Sequence, residues 1–330
     1  MKISILDQAP ISKGISPAQA LKNMEAGAIF ADKLGYHRFW IAEHHNSYSL
    51  ASSAPEISMA YLSGKTERIR FGSGGTMMMH YSPYKMAEVF KTLSAFAPGR
   101  IDFGGGRAPG GDGKAIYALS EGRDSMHQEL YSKFYNTLQL IQDQPGLEAT
   151  YQNIIAHPQQ IVLPEPFMLG SSGNSAAQAG HMGVGYAYVQ FFNGKMDPTT
   201  FDTYKQYFQP SAYFEKPYSL VCYFVTVGNT KEEAEYQGLP ADIARMLLHR
   251  GQNVLRLSPE DAQNFPLSEM DKANIKENSS WHIKGTVKEV TDHLLREQEL
   301  YGFDEIMICT IPYDHQYKLW EYEMIAKALL

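Results

Sequence analysis

Residues 38–46 read RFWIAEHHN, an apolar run of strand length that ends in Glu43, His44 and His45. Packing gives no reason to place three titratable side chains at the end of a buried run. A barrel of alternating strands and helices does give one, because its strand ends and the loops that follow them converge on a single open face. The fold therefore turns on whether the rest of the chain repeats this pattern.

Short apolar, β-rich runs recur at 3–6, 39–42, 69–72, 101–104, 167–169, 186–192, 220–227 and 306–310. Segments of helical period lie between them. Over 16–35, Leu21, Met24, Ala28, Ala31 and Leu34 fall three or four apart, with Ser16 as N-cap, Pro17 at the first position and Gly35 as the stop. Residues 82–99 repeat the grammar with Met86, Phe90, Leu93 and Ala97. Arg123 opens a third stripe of Met126, Leu130, Phe134, Leu138 and Ile141, and Thr286 with Glu289 reads as a capping box before Val290, Leu294 and Leu300. An open doubly wound sheet shares this local pattern. The count of eight favours an α/β fold of the (β/α)8 TIM-barrel class, one domain over 1–330, with insertions at 143–166 and 251–284.

The composition suits a soluble globular protein with a sizeable core: 330 residues, 44% hydrophobic and 20% charged. A formal charge of −7 without a basic stripe argues against nucleic-acid or anionic-membrane partners and for small-molecule chemistry. The start, MKISILDQAP, has no long apolar stretch, and the run at 220–227 is far short of a membrane span, so a cytoplasmic location is expected. Cys222 and Cys309 both fall in apolar runs, as buried unpaired thiols do.

Four strand ends carry polar or glycine-rich signals: Glu43, His44 and His45; Gly74 and Gly75; Arg107; and Ser171 and Ser172. GSSGNS, residues 170–175, precedes a helical pattern and would offer backbone N–H groups to an anion, a phosphate being the natural fit. Arg107 and Arg123 could add charge-assisted bonds. Each signal also has a plainer reading: a solvated arginine, a capped loop, a tight glycine turn, a structural histidine. Three other motifs fail. Gly64-Lys65-Thr66 lacks the earlier glycine of a phosphate-binding loop, where Met59 stands; FGGGRAPGG lacks the spacing of a nicotinamide fingerprint; and EHH is not a zinc-hydrolase motif, so no metal is expected. Met77, Met78 and Met79 read as core.

GYHRFWIAEHHN, IRFGSGG, HYSP, PGRIDFGGGRAPGGD, LGSSGNSA and GFDEIMICTIPYDHQ, in this order, resemble the bacterial luciferase-like flavin-dependent monooxygenases. The resemblance implies a TIM barrel, often a homodimer, that uses reduced FMN from a separate NAD(P)H:flavin reductase, and dioxygen, to oxidise a small organic substrate through a flavin hydroperoxide. His44 matches the residue tied to proton handling, and an imidazole titrating near about pH 6.5 suits that role; Glu43 and His45 are its neighbours. Gly74 and Gly75 match a small-residue pair joined by a cis peptide behind the flavin ring. Arg107 and Arg123 match phosphate-binding arginines, Ser171, Ser172 and Asn174 match the phosphate loop, and Gln190 stands where relatives carry Trp or Ser near the ring. The rival readings are a deazaflavin-dependent hydride transfer and a non-catalytic flavin-binding partner subunit. Light emission is not implied.

Overall fold

The computed structural model describes residues 1–123, 129–252 and 254–330. Met126, expected on the third stripe, lies outside them. Among the described residues ten strands run in chain order: β1 (Lys2–Asp7), β2 (Arg38–Ile41), β3 (Arg70–Ser73), β4 (Thr76–Met77), β5 (Ile101–Gly106), β6 (Glu165–Gly170), β7 (Gly185–Val189), β8 (Ser219–Gly228), β9 (His282–Thr286) and β10 (Glu305–Cys309). Eight of them close a parallel barrel in the order β10-β1-β2-β3-β5-β6-β7-β8, sealed by β8 pairing with β10. The α/β TIM-barrel reading holds.

Two strands have no counterpart in the sequence reading. The two-residue β4 pairs with the end of β5. The other, β9, lies beside the outer half of the ten-residue β8, with Phe224 opposite His282 and Gly228 opposite Thr286. It begins inside the stretch 251–284, which also carries helices Pro259–Gln263 and Glu269–Glu277. The run at 186–192 is shorter as a strand than its apolarity suggests. It stops at Val189, and Gln190–Asn193 forms one helical turn closed by Gly194 at φ 65°.

Strand alternation sorts side chains into two cores. Ile3, Phe39, Ile41, Phe71, Phe103, Tyr186, Val221 and Ile306 pack outward against the helices. Leu6, Trp40, Ala42, Phe167, Ala187, Leu220, Cys222, Met307 and Cys309 face into the barrel. Trp40 fits there because Gly72 beside it has no side chain: a Cβ on Gly72 would sit 2.4 Å from Trp40 Nε1. The helices keep their expected signals. Ser16 accepts from Gln19 N, Gly35 closes that helix at φ 93°, and Thr286 with Glu289 forms the capping box. Two stripe members are exposed, however, Leu21 at 39% and Leu300 at 70%; Ala20 is buried where Leu21 was expected. Among the described residues no helix is long and apolar enough to cross a membrane.

The amino end of the barrel is closed by charge. Arg38 is buried and pairs with Asp102 (2.8 Å), Glu165 (2.8 Å) and Glu305 (3.0 Å). Arg70 adds a second guanidinium 2.7 Å from Asp102, and Trp40 Nε1 donates to the same carboxylate at 2.9 Å. Burial alone would raise the pKa of Asp102 and Glu305, but the Arg38 guanidinium beside both holds them below the usual carboxylate range. Removing the cation leaves buried charge without compensation. Arg38→Leu is therefore expected to cost about 3–5 kcal/mol at neutral pH in urea unfolding. Because both carboxylates are lowered, the wild-type protein keeps their contribution above the unfolded values, about pH 4, and loses it as pH falls through the folded ones. The penalty in the variant should shrink over the same range; a penalty independent of pH would show that the cluster does not act electrostatically.

Candidate active site

A cavity of about 450 Å³ opens at the carboxyl end of the barrel. Its floor is apolar, built from Leu6, Trp40, Leu169, Ala187, Leu220 and Met307, with the Cys222 thiol among them. Glu43, His44, Gly74 and Gly75 form one wall, and Arg107, Tyr131, Ser171 and Ser172 lie around the polar part of the lining.

The loop after β2 is fixed by Glu43, which is 1% exposed. Its Oε1 accepts from the Tyr81 hydroxyl at 2.6 Å and lies 2.8 Å from His45 Nε2, while Oε2 accepts from Met77 N at 3.0 Å. The backbone N–H groups of His44 and His45 donate to Ser52 O and Gly110 O. Glu43 is thus engaged on both oxygens and acts here as a brace. His45 braces it in turn and does not line the cavity, so of the two histidines only His44 reaches it.

The His44 ring is half-buried by surface and lines the cavity, and its buried Nδ1 has no hydrogen-bond partner. Burial pushes its pKa down to about 4, with Glu43 opposing the fall only partly. The sequence reading gave this imidazole the ordinary value of a solvated one; in place it is neutral at pH 7, because burial disfavours the charged ring.

The peptide between Gly74 and Gly75 is cis. A Cβ on Gly74 would lie 2.6 Å from Leu6 Cδ1 and one on Gly75 3.0 Å from Leu169 Cδ2, so a side chain at either position would have to displace a leucine of the floor. The result is a stretch of bare backbone in the cavity wall. Beyond it, Ser172 begins helix Gly173–His181 without capping it by its own side chain. Arg107 is exposed in the cavity lining and makes no ion pair among the described residues.

Other expected residues stand elsewhere. Arg123 is exposed and paired with Glu121, in a turn seven residues before helix Leu130–Ile141 instead of at its head. Asn174 is outside the lining; its Nδ2 donates to the Tyr131 hydroxyl at 3.1 Å. Gln190 is buried with its Nε2 donating to Ser280 O at 3.1 Å, and it too is outside the lining. Tyr131, Trp40 and Tyr81 were missed. Tyr131 sits one position off the apolar stripe and Trp40 reads simply as core, so neither carries a motif; HYSP, residues 80–83, contains Tyr81 but does not say what it binds.

The model of the luciferase-like monooxygenases matches residues 1–305. The chain belongs to this family. It is 37% identical over 328 residues to the uncharacterized protein YceB of Bacillus subtilis, covering 99% of both chains. It is 32% identical over 335 residues to the N-acetyl-S-alkylcysteine monooxygenase of the same organism, covering 100% of this chain and 98% of the relative. Among solved structures, apo-MsnO8 superposes with a TM-score of 0.88 at 30% identity, over 99% of this chain and 97% of that one.

The low pKa of His44 has a measurable consequence. Its ordinary unfolded value is about 6.5, so between there and about pH 4 the unfolded chain binds a proton that the folded site refuses. The His44 contribution to stability is complete above that window and is lost as pH falls through it. Replacing His44 by Gln should flatten this part of the pH–stability curve, and the His44 ring should stay neutral by NMR until close to pH 4. A ring titrating near 6.5 would contradict the assigned environment.

Proposed function

We propose that this protein is a monooxygenase that uses reduced FMN and dioxygen to oxidise a small organic substrate. The observation that carries the reading is one cavity combining an apolar floor, a bare-backbone wall, a neutral imidazole, an exposed arginine and the start of a helix that no side chain caps. Those parts fit a molecule with a flat apolar ring at one end and a phosphate at the other. Leu6, Trp40, Leu169, Gly74 and Gly75 would hold the ring, while Arg107 and the Ser171-Ser172 loop would hold the phosphate.

Reduced FMN, when bound, supplies the two electrons by which one atom of dioxygen enters the substrate and the other leaves as water. The protein's own part is to hold, exclude and move protons. The apolar floor keeps water from the reacting region. His44, neutral at rest, accepts a proton and in its charged form is acid enough to return it, so it serves first as a base. Glu43 and His45 position that ring through the loop they brace.

Supplied reductant fits a chain that carries no nicotinamide fingerprint, and a separate NAD(P)H:flavin reductase, a homodimer and a cytoplasmic location belong to this proposal. The named relative favours oxygen chemistry over deazaflavin hydride transfer and makes small thioethers the first substrates to test. A flavin-binding subunit without turnover would have no use for a proton acceptor in the wall.

Oxygen uptake by protein loaded with reduced FMN should rise when a substrate thioether is added. His44→Ala should lower turnover by about 10²–10⁴-fold with FMN affinity retained. Full turnover in that variant would remove His44 from the mechanism, and FMN binding without oxygen uptake across a thioether panel would favour the binding-subunit reading.

A further inference from the structure

We propose that Tyr131 is an anion-binding residue of the cavity, whose hydroxyl donates a hydrogen bond to the cofactor phosphate where the sequence had placed Arg123. The inference rests on the flavin reading above and adds a residue to it.

Tyr131 lies in the first turn of helix Leu130–Ile141 and lines the cavity together with Arg107, Ser171 and Ser172. Its oxygen accepts from Asn174 Nδ2 at 3.1 Å. An oxygen that accepts from an amide keeps its own proton for another partner, and among the described residues the phenol makes no second hydrogen bond. Burial raises its pKa, and the Arg107 charge opposes that rise. The hydroxyl therefore stays protonated at neutral pH and can serve as a donor, where a phenolate would repel a phosphate. Arg107 and Tyr131 thus present one charged and one neutral donor group, with Asn174 orienting the second.

Arg123 does not supply this donor: it is exposed and held by Glu121. The sequence counted Asn174 as a direct phosphate contact. In the fold its side chain meets Tyr131 and stays outside the cavity lining, so it would act on the anion through that hydroxyl.

The test separates phosphate recognition from ring recognition. Wild-type protein and Tyr131→Phe are titrated anaerobically with reduced FMN and with reduced riboflavin, which lacks the phosphate, and binding is followed by quenching of protein fluorescence. Wild type should prefer FMN, and the variant should lose about tenfold or more of that preference, with riboflavin affinity unchanged. Inorganic phosphate should compete with FMN less well in the variant. Because Phe removes one oxygen atom and keeps the ring, an unchanged riboflavin affinity also reports an intact fold. An FMN preference equal in the two proteins overturns the role of Tyr131 while leaving the flavin reading standing. Wild-type protein that does not distinguish FMN from riboflavin, or binds neither, overturns the phosphate site itself and this inference with it.

Discussion

A guanidinium in the barrel floor is the constraint on which the rest of the site depends. Arg38 draws carboxylates from β5, β6 and β10 to one point, joining strands that are not neighbours of β2 in the sheet. Its Coulombic attraction keeps Asp102 and Glu305 ionised despite burial, so the amino end of the barrel is filled with paired charge. Above that layer sits Trp40, hydrogen-bonded to Asp102 and accommodated by the missing side chain of Gly72. The interior is therefore occupied from below upward, and the volume left over lies at the carboxyl end. Arg38 and Glu43 stand five residues apart on one segment: the first helps to close the barrel floor, the second fixes the loop at its open end.

That loop shows a division of labour among adjacent titratable groups. Glu43 is the one best placed by its charge to do chemistry, yet its two oxygens are taken by Tyr81, His45 and Met77. Satisfying a buried carboxylate this fully stabilises the loop and removes the carboxylate from reaction. His44 is the converse case. Its Nδ1 is buried without a partner, the ring is penalised for carrying charge, and the residue lines the cavity. The buried carboxylate supplies rigidity, and the neighbouring imidazole is left without such a bond.

Much of this was legible from residue order. Eight apolar runs separated by capped helical stripes specify the barrel, because strand and helix differ in period and the count is set by closure. The strand β9 was hidden, since HIKGT is not an apolar run: Lys284 points to Asp242 and Glu235, and Thr286 is already a helix cap. Within the site, residues on strand ends could be placed because alternation and the barrel's polarity fix where they point. Arg123 could not, since its position depends on a loop path that no period encodes, and Asn174, on the first turn of its helix, turns to Tyr131 of another helix, a contact that sequence order does not show. The pKa of His44 was likewise out of reach, because it depends on what surrounds the ring after folding.

The stretch 251–284, which as sequence suggests only an insertion, is structurally tied to the cavity wall. Phe191 and Phe192 both line the cavity, and they sit on the single helical turn after β7. Arg245 donates to the carbonyl of Phe191 at 2.9 Å and lies 4.2 Å over the Trp281 ring, while Gln190 donates to Ser280 O. Trp281 in turn packs on Phe224 of β8, with ring centroids 4.7 Å apart. One short helical turn cannot hold two aromatic side chains in place by its own hydrogen bonds, so its geometry depends on these contacts, made by Arg245 on helix Lys231–His249 and by Ser280 and Trp281 of the insertion. The floor and the histidine wall are built from barrel strands and the loops they carry, whereas the Phe191-Phe192 wall takes its position from residues outside the barrel. Changes in the insertion can therefore reshape this side of the cavity without disturbing Arg38, Glu43 or His44.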